Sequence, residues 1–381
     1  MPTIPTDPSS PDLARRSRII ERIERDAGVQ NLADILAHRL APTDLQSLLL
    51  EVYARRAKSR EPRILLEDQV SNRFTRPSIS SPSCLLEWDR IAFSQLPEVF
   101  QPMELSPVCP LGTVSVLAPI SQDWTVSTIR NNEVVADSTN VLAIECAVRR
   151  REQRNFSSGK ANSVHLAASH RLLRGQKFSV GPGTRQHFRI LTLCSAGRDS
   201  GNLLFETETV DLHIGFYLAA LEQFLGTKTA LRVAISDFGS TVMRPVIRSG
   251  VIEKLQSAHR KVRIGIDQGR KQGRGYYGQL SFKIFSTPSE GLEHELVDGG
   301  DVDWTKKLLN NAKERLIISG CGSERLCELF DPTASRKSGQ GLPVATAECL
   351  SPFSATRPTV RSSRSSTAGT RWPKEQLPSK A

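Results

Sequence analysis

The sequence predicts an α+β fold, an antiparallel β-sheet flanked by helices, with a helical extension before it and a basic tail after it. Three observations carry that prediction. Short apolar runs of β type alternate with long helical runs between residues 85 and 330, without the regular beat of about 30 residues that βαβ units impose. No Gly-x-Gly-x-x-Gly follows the first strand, which argues against a doubly wound sheet. No internal repeat is present.

Residues 1–12 are rich in Pro and Ser and are expected to be disordered. From 13 to 60 apolar residues recur at helical spacing (Leu13, Ile19, Ile20, Ile23; Leu32, Ile35, Leu36; Leu45, Leu48, Leu49, Val52), broken at Gly28 and Pro42. This reads as an extension of two or three helices, the last starting near Pro42-Thr43-Asp44. Residues 61–84 are polar and carry Pro62, Pro77 and Pro82, as a linker would. The core, 85–330, then reads as β-type runs at 112–118, 163–171, 188–194, 230–236, 280–285 and 315–319, with helices at 140–150 and 203–225.

The net charge of +11 invites a polyanionic partner until its distribution is counted. Residues 331–381 hold eight Lys/Arg against three Asp/Glu, nearly half the surplus, together with fifteen Ser/Thr and six Pro. Such a tail lacks the apolar surface that offsets the entropy of ordering, so it is expected to be disordered; RSSRSS within it could touch RNA or an acidic surface. No run of about 18 apolar residues and no N-terminal apolar segment occurs, which predicts a cytoplasmic protein without a membrane span. The seven cysteines show no zinc-like spacing and read as buried free thiols. His165, His170, His213 and His294 read as ordinary core or surface histidines.

Two constellations carry chemistry. In residues 172–199 an extended run places Arg174 and Gln176 on one strand face, a loop with Gly181, Pro182 and Gly183 follows, and Arg185, Gln186, His187 and Phe188 lead into a second apolar strand. Such a hairpin could hold a phosphate through guanidinium groups, with Gln176 reading a base edge; it is equally a plain hairpin with a charged face. In RLIISGCGSERLCELF, residues 315–330, a strand runs into Gly320 and Gly322, and Ser323-Glu324-Arg325 opens a helix whose amides favour an anion. Arg325 could lie over a purine ring with Glu324 holding its guanidinium. Alone, it is also an ordinary strand-to-helix turn.

Together, in this order, the two resemble motifs two and three of the class II aminoacyl-tRNA synthetases, nearest to the group of histidyl-tRNA synthetase and the regulatory subunit of ATP phosphoribosyltransferase. The likeness covers roughly residues 85–330. Leu173-Arg174-Gly175-Gln176 is similar to the family's Phe-Arg-x-Glu, and Arg185-Gln186-His187-Phe188 to its Arg-Gln-Phe-His. LPEVFQPMELSP (96–107) is similar to motif one, with Pro102 or Pro107 at a dimer interface. VADSTN (135–140) is similar to the segment that contacts the amino acid, and RGYYGQLSFKIF (274–285) with VDGG (297–300) to the stretches lining the histidine site. The resemblance thus implies ATP and Mg²⁺ as cofactors and Arg174 as the catalytic, α-phosphate arginine. It implies ATP binding by Arg174, Gln176, Arg185, Phe188, Gly320, Gly322, Glu324 and Arg325. Asp137, Thr139, Tyr276, Tyr277 and Gly278 would hold a histidine-like amino acid, no protein-bound metal site is expected, and the chain should form a homodimer.

Several positions depart from the family pattern. Gln176 replaces a glutamate; Gln272 stands where the family's transition-state arginine would fall, with Arg270 and Arg274 beside it; Arg-Tyr-Asp does not follow VDGG; and no anticodon-binding domain follows the core. Conventional tRNA charging is therefore not expected. One reading is a core that binds ATP and an amino acid and forms an aminoacyl-adenylate, an ATP-dependent ligase passing the acyl group to a protein partner or an RNA acceptor. The alternative is a non-catalytic paralogue acting as a regulatory or amino-acid-sensing subunit. A nucleic-acid-binding module using the N-terminal helices and the tail is a third.

Overall fold

The computed structural model describes residues 11–156, 162–176, 185–226, 229–288 and 291–330. The Gly181-Pro182-Gly183 turn and the tail from 331 onward lie outside them, as do residues 1–10. The chain starts with helices α1 (Pro11–Ala27), α2 (Leu32–Asp34), α3 (Pro42–Lys58) and α4 (Pro62–Ser71). Proline stands at the first turn of α3 and α4, where its missing N–H costs nothing. The stretch read as a linker from 61 to 84 therefore contains a helix, which the sequence reading missed because it weighed its prolines as breakers.

The remaining elements follow as α5 (Pro82–Ser94), β1 (Phe100–Pro102), β2 (Val108–Pro110), α6 (Thr113–Leu117), β3 (Asn132–Val134), α7 (Ser138–Phe156), β4 (Val164–Leu173), β5 (His187–Arg198), α8 (Leu204–Leu225), β6 (Ala230–Asp237), α9 (Pro245–Ile247), α10 (Lys254–Ala258), β7 (Arg263–Ile266), β8 (Leu280–Thr287), β9 (His294–Val302), α11 (Trp304–Leu308), β10 (Glu314–Gly322) and α12 (Ser323–Phe330). An eight-stranded sheet runs β1-β4-β5-β10-β9-β8-β6-β7, antiparallel except where β1 joins β4 and β6 joins β7. The α+β reading thus holds. GTVSVLA, read as β-type, is the short helix α6: Thr113, Val114 and Leu117 are its buried positions, spaced one and three or four apart as on one helical face and not alternating.

Strand periodicity divides the core into two layers. Leu191, Leu193, Ile317 and Phe282 face α5 and α8, which bury Trp88, Ile214 and Tyr217 on that side. Leu166, Cys194, Leu316 and Ile318 point the other way, to α7 and α11, with Leu142, Cys146 and Trp304. Each fully buried large apolar side chain contributes about 1.5–3 kcal/mol of transfer free energy. Across the sheet and α7, Arg150 and Glu314 form a two-pronged ion pair at 3.0 and 3.1 Å, both about 1 % exposed.

Buried polar groups knit the first layer. His165 Nδ1 lies 2.8 Å from Ser195 Oγ, which lies 2.8 Å from His213 Nε2; His213 Nδ1 lies 2.8 Å from Ser319 Oγ. Burial drives the His213 pKa down to about 3, so this histidine is neutral in the folded protein. His165 and His213 are thus hydrogen-bonded residues linking β4, β5, α8 and β10, with His213 in the core, in keeping with the ordinary role the sequence suggested. The six cysteines among the described residues are free thiols, five of them buried, as expected.

Candidate functional site

The helix α7 begins beside the end of β4, and that meeting builds the site. Asp137 precedes α7, and its Oδ1 accepts from the Thr139 amide at 2.9 Å and the Thr139 hydroxyl at 2.7 Å. This is N-capping, which stabilises an N-terminus by roughly 0.5–2 kcal/mol and places a carboxylate at the positive end of the helix dipole. Arg174, just past β4, donates from Nε to the Ala136 carbonyl at 2.6 Å and from Nη2 to Asp137 Oδ2 at 3.0 Å. Its guanidinium lies 5.2 Å from the centroid of the Phe188 ring on the returning strand. The pairing continues beyond β4, because the Arg174 amide donates to the Gln186 carbonyl.

A cavity of about 120 Å³ opens beside this pair, lined by Asp137, Arg174 and Gln176, by Val114, Ile120 and Trp124, and by residues 271–274 and Tyr276. That is room for roughly ten waters. The segment 121–124 brings Trp124 to its wall. A Cβ on Gly175 would stand 2.8 Å from the Asp123 carbonyl oxygen, so only glycine lets this segment lie across the hairpin, where the Gly175 amide donates to the Trp124 carbonyl. Tyr276 packs edge-on against Tyr277 and Trp304, and burial, reinforced by the nearby Asp137 carboxylate, pushes its phenol well above the usual range.

Other expected site residues go elsewhere. Tyr277 and Gly278 line a different hollow with Asp301, not the Asp137 cavity; Tyr277 packs under the Arg270 guanidinium. In VDGG, a Cβ on Gly299 would strike Ser319 and Phe282, and one on Gly300 would strike the Leu280 carbonyl and Tyr277. Close strand packing is thus enough to demand both glycines. Arg185 turns toward Glu328 of α12 at 4.0 Å.

The strand-to-helix turn has the form expected, with α12 starting at Ser323 after β10. Gly320 packs on Ile190, whereas Gly322 faces open space apart from Arg325. Register sets Gly322 opposite Ile190 and Leu173 opposite His187, so Arg174 and Arg325 fall at the same end of the sheet. Only Arg174 lines the cavity; Arg325 donates to the Glu295 carbonyl at 3.3 Å. Nor does Glu324 hold Arg325: it pairs with Arg171 at 2.6 Å and accepts from Ser78 at 3.0 Å.

Sequence reasoning missed the polar floor at this end. Arg270 pairs with Asp298 at 2.8 Å and donates to the Gln272 carbonyl, and Lys283 pairs with Glu295 at 2.5 Å and reaches Gln272 Oε1 at 3.4 Å. Alternation along KIF and VDGG was the available signal, since charges on one face of a central strand need partners. These contacts bear on ATP and Mg²⁺. Glu295, Asp298 and Glu324 are all committed to cations, the Phe188 face that a purine would stack on is covered by Arg174, and among the described residues no cluster of three metal-ligating side chains exists.

No protein-family model matches the chain, and no curated protein matches it in sequence. Solved structures do. The ATP phosphoribosyltransferase regulatory subunit/histidyl-tRNA synthetase of Bacillus halodurans superposes with a TM-score of 0.50 at 13 % identity, over 68 % of this chain and 83 % of that one. Histidyl-tRNA synthetase of S. aureus gives 0.48 at 15 % identity, over 68 % and 69 %. The histidine–tRNA ligase subunit of Alicyclobacillus acidocaldarius gives 0.46 at 12 % identity, over 68 % and 98 %. The sheet and its flanking helices therefore have the fold of a class II aminoacyl-tRNA synthetase core, of the kind seen in histidyl-tRNA synthetase and the regulatory subunit of ATP phosphoribosyltransferase.

Proposed function

We propose that this chain binds a free amino acid in the Asp137–Arg174 cavity and acts as a non-catalytic, amino-acid-sensing or regulatory protein of the class II synthetase-like group. The Asp137–Arg174 cavity carries this reading. It sets the Asp137 carboxylate and the Arg174 guanidinium side by side, the pair a zwitterion needs: carboxylate toward Arg174, ammonium toward the remaining lone pair of Asp137 Oδ2. The neutral Gln272 on the cavity wall supports sensing over adenylation, because no arginine at that position is offered to charge developing at a phosphate.

A second reading, adenylate formation with ATP and Mg²⁺, draws on the open space at Gly322 and on Arg325 at the same sheet end as Arg174. A homodimer through the motif-one segment, whose strand β1 is a sheet edge, and a cytoplasmic location accompany either reading. Among the described residues no helix is long and apolar enough to cross a membrane.

Calorimetry with each of the twenty amino acids, without nucleotide, tests the proposal together with amino-acid-dependent exchange of pyrophosphate into ATP. Binding of at least one amino acid without any exchange is the expected result. Exchange with any of them would overturn the sensing role in favour of the ligase, and no binding at all would remove the amino acid site.

A further inference from the structure

Lys271 and Arg274 stand at the cavity wall, and the resemblance gave neither side chain a role. Both line the cavity, both are exposed at its mouth, and neither has a carboxylate or hydrogen-bond acceptor for its side chain among the described residues; Arg274 only packs over Phe238 at 4.9 Å. Asp137 is the sole carboxylate among the described residues of the lining, and it is already in use. Its Oδ1 accepts two hydrogen bonds from Thr139, and its Oδ2 pairs with Arg174. The Asp137–Arg174 pair is neutral, so Lys271 and Arg274 leave the lining with two uncompensated positive charges.

We infer that the ligand is anionic, an amino acid with an acidic side chain, and that Lys271 and Arg274 select it. This rests on the proposed amino acid site. With the α-carboxylate on Arg174 and the ammonium on Asp137, the side-chain acid reaches the two cations at the mouth, where charge-assisted hydrogen bonds form without displacing any existing pair. A neutral side chain leaves these cations hydrated and loses that attraction. An imidazolium is repelled by both, and no second carboxylate accepts its N–H. The neutral Gln272 between them, held by Lys283 from below, neither adds to nor cancels the field.

The test is calorimetric titration with L-aspartate, L-glutamate, L-asparagine, L-glutamine and L-histidine, on the full chain and on a Lys271→Glu/Arg274→Glu variant. Both positions are exposed, and circular dichroism with thermal melting checks that the variant is folded. One of the acids should bind about five- to tenfold more tightly than its own amide and than histidine, the range two half-solvated ion pairs supply. The preference should shrink as salt is raised and should be lost or reversed in the variant. Amides or histidine binding as tightly as the acids would overturn the inference and leave the amino acid site standing, as would an acid preference unchanged in the variant. Failure of all five to bind overturns the inference; the full twenty-member panel then decides whether the site itself falls.

Discussion

Replacing Arg174 by methionine tests whether the hinge of the site is structural, functional or both. The change keeps the aliphatic stem and removes two donations, Nε to the Ala136 carbonyl and Nη2 to Asp137. Asp137 is left with its side chain 7 % exposed and no cation beside it, while Arg174 itself is 16 % exposed. Breaking a fully buried pair by removing one partner costs about 3–5 kcal/mol. The partial exposure here, and the two Thr139 hydrogen bonds that Asp137 keeps, reduce this to about 2–3 kcal/mol. Urea unfolding should show a lower midpoint at unchanged slope, and the melting temperature should fall by roughly 3–5 °C. Adding Asp137→Asn to complete a double-mutant cycle should return a coupling of about 1–3 kcal/mol. Amino acid binding should vanish in the methionine variant even at temperatures where it is fully folded. A loss under about 0.5 kcal/mol with binding intact would show that Arg174 neither anchors Asp137 nor meets a ligand, and the reasoning about the cavity would fail.

Two further outcomes concern the scaffold. His213, neutral with a pKa near 3 in the fold, takes up a proton near 6.5 when unfolded, so its contribution to stability is complete above that pH and is lost progressively as pH falls toward 3. The stability of His213→Gln relative to the parent should therefore improve on acidification, by about 1.4 kcal/mol per pH unit over that window, in denaturant titrations from pH 4 to 7; a pH-independent difference would refute the buried neutral histidine. Glu314→Gln takes the carboxylate away from the buried Arg150 and should cost about 3–5 kcal/mol, whereas Arg150→Met combined with Glu314→Leu should recover most of it. Equal losses in the single and double variants, read from urea midpoints, would show that stranded charge is not the cause.

What the sequence determined by itself was local or periodic. The short apolar β-type runs at 163–171, 188–194, 230–236 and 280–285 and the long apolar run at 203–225 report burial, and β4, β5, β6, β8 and α8 lie where those patterns run. The order of the Arg174 hairpin and the Gly320-x-Gly322 turn was equally legible, because glycines and turn residues act through backbone conformation. The short strands β1, β2, β3 and β7, at three or four residues, are too brief for alternation to show, and their identity comes from neighbours in the sheets.

Only the tertiary structure decided which charges meet. Glu324 is adjacent in sequence to Arg325 yet pairs with Arg171, 153 positions away, because strand alternation and the entry of α12 point the two side chains apart. Likewise Gln272 is read from sequence as a missing arginine, while the fold makes it the acceptor for buried Arg270 and Lys283 and leaves Lys271 and Arg274 at the cavity mouth. A side chain's charge is fixed by its type; the partner that cancels or exposes that charge is chosen by packing between distant elements, and no spacing along the chain encodes it.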